Sequence, residues 1–412
     1  MKLLFIHQNF PGQFAHVAPE LARQGHQVVT LGISNSGQQW PGVTQLLHKP
    51  QPRPGDSSGS DTNAREWAAK LARGESAARA MLQLRQQGFA PDVVVAHPGW
   101  GEALYIRDVF PACRLITYAE YYYGGDGGDT SFDAEFDAIP PSFEALQRLR
   151  LKNTHLLHAL SICDEALSPT QFQRSRHPAV YQDRIRVIHD GVDTDLLQPD
   201  AAASITLAQP GAVAPITLTR RDEVISFVAR NLEPYRGYHC FMRALPKLLQ
   251  LRPQARVVIV GGDEVSYGAA APAGTSWKQR FLDEVKGDID LQRVHFVGRV
   301  PHVQLRKLMQ VASVHTYLTY PFVLSWSMLE AMSQGCLVVG SRTAPVEEVI
   351  EHGHNGLLVD FFDTQALADT VADALAQGTA LNGLRTAARQ TVVERYDLQR
   401  HCLPAMLRFI AG

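Results

Sequence analysis

Short runs rich in β-branched residues recur along this chain, each separated from the next by a stretch with helical spacing. In the first half the runs are KLLFIH, HQVVTLG, DVVVAH, RLITYAE, EALSP and IRVIH; in the second they are VISFVAR, RVVIVGG, VHFVGR, VHTYLTY, CLVVGS and GLLVD. DVVVA and RVVIV are apolar without alternation, the mark of strands covered on both faces, so the pattern predicts parallel sheets joined by helical crossovers. A length of 412 residues exceeds one ordinary core. The expectation is an α/β protein of two doubly wound parallel-sheet domains facing one another across a deep cleft. The stretch DAAASITLAQPGAVAPITLTR lacks a strong period and marks the boundary, with a first domain over 1–195 and a second over 196–395. The terminal DLQRHCLPAMLRFIAG reads as a closing helix, about 396–412, that packs back on the first domain. KPQPRPGDSSGSD reads as a mobile surface loop.

Composition removes several classes of function. A formal net charge of -2 offers no basic footprint for nucleic acid. The five cysteines are too scattered for a CxxC metal site or a disulfide framework, which suits a reducing compartment. Lys2 leads directly into a strand and no apolar run reaches the length of a membrane span, so the expected location is cytoplasmic. Neither half carries GxGxxG after its first strand, which disfavours a dinucleotide dehydrogenase.

Ligands of open α/β sheets bind beyond the carboxyl ends of the strands, so the chemistry is sought there. The first strand runs into HQNFPGQ, where Gly12 allows close backbone approach and the following helix start favours an anion. In VARNLEPYRG, Arg230 ends a strand and Arg236 follows a short loop closed by Gly237. Two guanidiniums there suit a diphosphate, because the planar fork binds oxygens in pairs and stays charged. In YPFVLSWSMLEAMSQG, a loop from Pro321 through Leu324 and Ser325 opens a helix carrying Glu330, whose carboxylate suits two ribose hydroxyls.

The array VISFVARNLEPYRG, RVVIVGG, VHFVGRVPHVQLRKLM and SMLEAMSQGCLVVGSRTAPVEEVIEHGHNGLLV resembles the donor domain of retaining glycosyltransferases of family 4, and VIHDGVD resembles the entry to that domain. The resemblance covers nearly all of the second half; the first half is similar only in framework. It implies the GT-B fold, a nucleoside diphosphate sugar as donor (UDP-sugar over GDP-sugar), no other cofactor, and a glycan or lipid-linked acceptor. It places Arg230 and Arg236 on the diphosphate, with Arg236 standing where the family has Lys, and Glu330 on the ribose. Gly261, Gly262, Arg299 and Val300 fall where the family lines its nucleotide pocket, and Gly12 matches one glycine of the first loop. Phe322 stands where the family places a glutamate that contacts the donor sugar.

On the acceptor side, the family's histidine after LITYAE is absent, and the chain offers Ala119, Glu120 and Tyr121 to Tyr123 there. His97, closing DVVVAH, is the candidate cleft histidine, with Trp100 to stack on a sugar and Glu102 or Glu120 to orient a hydroxyl. The acidic stretch GGDGGDTSFDAEFD lacks calcium-loop spacing and no metal is expected. The resulting reading is retaining transfer, with two arginines stabilising the leaving diphosphate, domain closure excluding water, and the leaving phosphate accepting the acceptor's proton. A sugar phosphorylase, a nucleotide-sugar epimerase and a non-catalytic sugar-nucleotide-binding subunit remain open beside it. SFEALQRLRLKNTHLLHALS, at 142–161, is either a basic amphipathic helix lying on anionic lipid, a peripheral membrane contact, or a crossover helix whose leucines face the core.

Overall fold

The computed structural model describes residues 1–51, 62–208 and 215–412, and the chain divides into two compact units: Met1–Asp190 with Gln399–Gly412, and Gly191–Leu398. The loop expected from Lys49 onward lies outside the described residues from position 52 to 61.

The strands of the first unit are β1 (Lys2–Ile6), β2 (Asn9–Phe10), β3 (Gln27–Gly32), β4 (Ser34–Asn35), β5 (Val43–Leu47), β6 (Val93–Ala96), β7 (Arg114–Tyr118), β8 (Glu165–Ser168) and β9 (Ile185–Val187). Its helices are α1 (Val17–Arg23), α2 (Thr62–Gln86), α3 (Ile106–Val109), α4 (Phe143–Ile162), α5 (Gln171–Ser175) and α6 (Ala179–Gln182). The main sheet is parallel in the order β5-β3-β1-β6-β7-β8-β9, so the winding reverses between β1 and β6. Its core is built from residues such as Leu4, Ile6, Val94, Ala96 and Ile106. Every residue of VVVA in β6 is buried, as a strand covered on both faces requires. The edge strand β5 escaped the sequence reading because only Val43 of VTQLL is buried.

The second unit holds the antiparallel hairpin β10 (Ser204–Leu207) and β11 (Ile216–Thr219), then β12 (Val224–Asn231), β13 (Arg256–Gly262), β14 (Val294–Gly298), β15 (Val314–Tyr317), β16 (Leu337–Ser341) and β17 (Leu357–Val359). Its helices are α7 (Tyr238–Leu251), α8 (Trp277–Val285), α9 (His302–Val311), α10 (Trp326–Ser333), α11 (Ala344–Glu347), α12 (Thr364–Gln377) and α13 (Asn382–Arg395). The main sheet is again parallel, in the order β14-β13-β12-β15-β16-β17, and reverses between β12 and β15. The stretch taken as a boundary without period is therefore partly structured: Ser204 pairs with Thr219 and Leu207 with Ile216. Its Ala- and Pro-rich middle, 209–214, lies outside the described residues.

The last helix, α14 (Leu403–Ala411), belongs to the first unit and packs on α1 and β6. Arg114 fastens it by donating to the carbonyls of Phe409 and Ile410. In α4, Leu156 and Leu160 face the core, whereas Phe143, Leu146, Leu151 and Leu157 are exposed.

Candidate functional site

In a doubly wound sheet the crevice opens where the winding reverses, because the loops leaving the two central strands turn apart there. The first unit has such a point at the carboxyl ends of β1 and β6, and it gathers His7, Gln13, His97 and, from the end of β7, Glu120. The Asn9 N–H donates to His7 Nδ1, so Nε2 carries the proton and donates to Gln13 Oε1 at 3.0 Å. Gln13 passes the link on, its amide donating to Glu120 Oε1 at 2.8 Å. The other carboxylate oxygen of Glu120 lies 3.3 Å from His97 Nε2. His97 Nδ1 accepts from the Gly99 N–H, which leaves its Nε2 as the proton-bearing nitrogen toward Glu120. Burial, then the neighbouring His97, drives the His7 pKa down to about 3, so His7 stays neutral and acts as a fixed donor.

This arrangement gives HQNFPGQ a different role from the one expected. Gly12 opens a short 3-10 turn, Gly12–Phe14, and α1 does not begin until Val17, so no α-helix start lies at Gly12. What requires glycine is the His7 ring: at φ +49 a Cβ on Gly12 would sit 2.3 Å from His7 Nε2. His7 and Gln13, which the sequence reading passed over, are the residues that orient the Glu120 carboxylate. Their signal was position, directly after the strand at which the sheet reverses.

Of the other acceptor-side candidates, His97 is 3% exposed and sandwiched between Trp100 (centroids 4.6 Å apart) and Tyr118 (5.5 Å). One face of Trp100 is thus already covered by His97 instead of standing free for a sugar. Glu102 needs a larger correction. It is fully buried, neither carboxylate oxygen has a hydrogen-bond partner among the described residues, and burial pushes its pKa up. A carboxyl sealed in this way cannot orient an acceptor hydroxyl.

The reversal point of the second unit lies at the ends of β12 and β15. Arg236 ends a 3-10 turn, Pro234–Arg236, and Gly237 follows at φ +66, where a Cβ would come within 2.3 Å of Leu318. The Arg236 side chain is 6% exposed. Its Nη1 donates to Thr319 Oγ1 at 2.8 Å and to the Val323 carbonyl at 2.9 Å, both in the loop leaving β15. The rings of Tyr267 and Phe322 cover the guanidinium, 5.0 and 5.9 Å from its central carbon. Among the described residues no carboxylate forms an ion pair with it. The adjacent Glu233 is occupied with the backbone N–H groups of Ser266, Tyr267 and Gly268. Arg230, by contrast, is exposed at the end of β12.

The other candidates of this unit make contacts of their own. Arg299 donates to Asn231 Oδ1 at 2.8 Å and to Glu264 at 2.6 Å, and lies against Gly262, where a Cβ would come 2.7 Å from Arg299 Nε. Gly261 packs on Leu232. Ser325 caps α10 with its side chain, and its N–H donates to the Tyr317 hydroxyl, with Leu324 buried beside it. Glu330, half-buried in α10, has Oε1 3.1 Å from His302 Nε2, a partner the sequence reading did not name. That hydrogen bond raises the His302 pKa. The Val300 side chain turns elsewhere, into an apolar cavity of about 390 Å³ shared with Ile205 and Leu207 of the hairpin. Phe322 is buried and packs edge-on to Tyr235 at 5.5 Å, so the position expected to meet the donor sugar is part of an aromatic cluster.

Two family models match the chain: the glycosyl transferase family 4 group over residues 24–197 and glycosyl transferases group 1 over residues 214–391. Among curated proteins, D-inositol 3-phosphate glycosyltransferase of Corynebacterium efficiens is 29% identical over 195 residues, 47% of this chain and 43% of the relative. That of Mycolicibacterium smegmatis is 30% identical over 195 residues, 47% of this chain and 40% of the relative. The matches thus span less than half the length of these relatives. Two solved structures are similar over their whole length. HepE of Anabaena in complex with UDP-glucose has a TM-score of 0.67 at 16% identity, covering 100% of this chain and 98% of the other. Sucrose-phosphate synthase from Thermosynechococcus elongatus has 0.73 at 17%, covering 99% and 98%. Both likenesses show the fold, which is GT-B.

Proposed function

The chain belongs to the group 1, family 4 type of glycosyltransferases, and we propose that it moves a sugar from a nucleoside diphosphate sugar to an acceptor hydroxyl with retention of configuration. The observation that carries this reading is Arg236: a buried, permanently charged guanidinium at the reversal point of the second sheet, with no carboxylate paired to it among the described residues. Tyr317, Tyr267 and Glu233 favour the charged form of Arg236, and a diphosphate would pair with its guanidinium directly. HepE, of the same fold, was solved with UDP-glucose, which supports a UDP-sugar as the donor of this chain.

In this reading Arg230 and Arg236 neutralise the departing diphosphate, Glu330 holds the ribose, and the backbone around Gly261, Gly262, Arg299 and Val300 borders the nucleotide. Two cations supply the stabilisation that a divalent ion would otherwise give, so the transfer runs without metal. On the acceptor side, His7 and Gln13 hold Glu120 toward His97, and this pair orients the attacking hydroxyl while the leaving phosphate takes its proton. The acceptor is a glycan or a lipid-linked sugar. Because Arg230 is exposed, Arg230→Ala removes charge without emptying the core. With a panel of UDP- and GDP-sugars, nucleoside diphosphate release is expected for a UDP-sugar and should fall about a hundredfold in Arg230→Ala. Equal rates in the two proteins would sink the assignment.

A further inference from the structure

A cavity of about 70 Å³ in the first unit, with room for several waters or one small anion, is lined in part by His97 and Glu120. Its lining also includes Lys70, from α2, and Lys152, from α4. Lysines ordinarily carry the ammonium out to water. These two are only partly exposed: burial lowers the pKa of both, and on Lys152 the through-space pull of Asp129 and Glu66 outweighs the push of Lys70. Among the described residues neither has an ion pair or a hydrogen bond. Lys152 Nζ instead lies 3.5 Å over the Tyr123 ring, whose main chain is clamped on both sides by the Asn153 amide. The carboxylates of Glu66, Glu102 and Asp129 act on the lysines only through space. Asp129 takes the Tyr121 hydroxyl, and Glu102 is sealed away.

A further polar group of this lining is His155, 3% exposed. Its Nε2 donates to the Gly99 carbonyl at 3.0 Å, which leaves Nδ1 as a bare acceptor, and that atom is buried without a partner among the described residues. An ammonium drawn partly out of water with neither a hydrogen bond nor an ion pair costs the empty protein free energy. A buried acceptor with no donor adds to the cost. One ligand chemistry relieves all three groups: an anion for the lysines, with a hydroxyl beside it for the histidine.

We infer that the acceptor carries an anionic group, phosphate or carboxylate, seated between Lys70 and Lys152, with a neighbouring hydroxyl donating to His155 Nδ1 and the reacting hydroxyl turned toward Glu120 and His97. The inference rests on the proposed function in that it takes this cavity as the acceptor's, while donor binding depends on the other unit.

The test uses the full chain and thermal melting with inorganic phosphate, with acetate, with sodium chloride at matched ionic strength, and with UDP. Phosphate or acetate is expected to raise the melting temperature where chloride does not, and the larger response identifies the group. Lys70→Met and Lys152→Met should each weaken the anion response at least tenfold in half-saturating concentration and leave the UDP response unchanged. The double variant without anion should melt at or above the wild type, because two ammonium groups no longer lose hydration on folding, and cooperative melting shows that it folds. An intact UDP response with no anion response, or with one equal in all variants, overturns the anion site alone. Loss of both responses in the wild type overturns the donor reading and this inference with it.

Discussion

Gln13 is the residue on which the first unit's polar chain turns. Its carbonyl oxygen accepts from His7 and its amide donates to Glu120, so Gln13→Leu leaves a carboxylate and a buried imidazole without their shared partner. Each lost hydrogen bond costs about 1 kcal/mol of stability, and the larger effect is on orientation. Turnover is expected to fall at least tenfold with UDP affinity unchanged. Steady-state kinetics beside a UDP titration checks this, and an unchanged kcat would reduce Gln13 to a structural residue. Little of this was legible in advance. A residue's type, as with Arg236 and Glu330, does not tell which atom meets which. Glu102 and Glu120 look equivalent in sequence; burial alone separates a sealed carboxyl from one beside the cavity. Lys152 has no sequence signal that sets it apart from Arg148 and Arg150, and the structure lays its ammonium over the Tyr123 ring.

At the scale of elements, the interior strands were legible because apolar runs such as VVVA and LVVGS admit no other placement. Strand β5 and the β10-β11 hairpin were not, since edge strands bury few residues and leave no period. Helix α4 shows both of the faces weighed for it. Its second half buries Leu156 and Leu160, while its first half exposes Phe143 and Leu146 beside Arg148 and Arg150. No described helix is long and apolar enough to cross a membrane, so any contact with lipid through α4 is at the surface. If the acceptor is lipid-anchored, the chain should sediment with anionic liposomes and be released by salt, and Arg148→Glu with Arg150→Glu should abolish this. Equal recovery in the supernatant under all conditions would assign α4 to packing only.

At the scale of the whole molecule, several histidines are buried in neutral form. Burial lowers His155, His177 and His189 in the first unit and His315 in the second to about 4, from an ordinary value of 6.5. A group whose folded-state pKa is depressed binds protons more readily when unfolded, so its contribution to stability is present above 6.5 and is lost as pH falls toward 4. Melting temperature should drop steeply between pH 6.5 and 4.5; a flat profile over that window would mean that these rings titrate as in water.

The central claim is that the second unit binds a nucleoside diphosphate, with Glu330 on the ribose. Calorimetric titration of UDP into the wild type and Glu330→Gln tests it most directly. The change keeps the side chain's shape and weakens its acceptance of two hydroxyls, so saturable binding is expected in the wild type and affinity about tenfold lower in the variant, roughly 1 to 2 kcal/mol. No binding to the wild type, or equal affinity in both, would contradict the account.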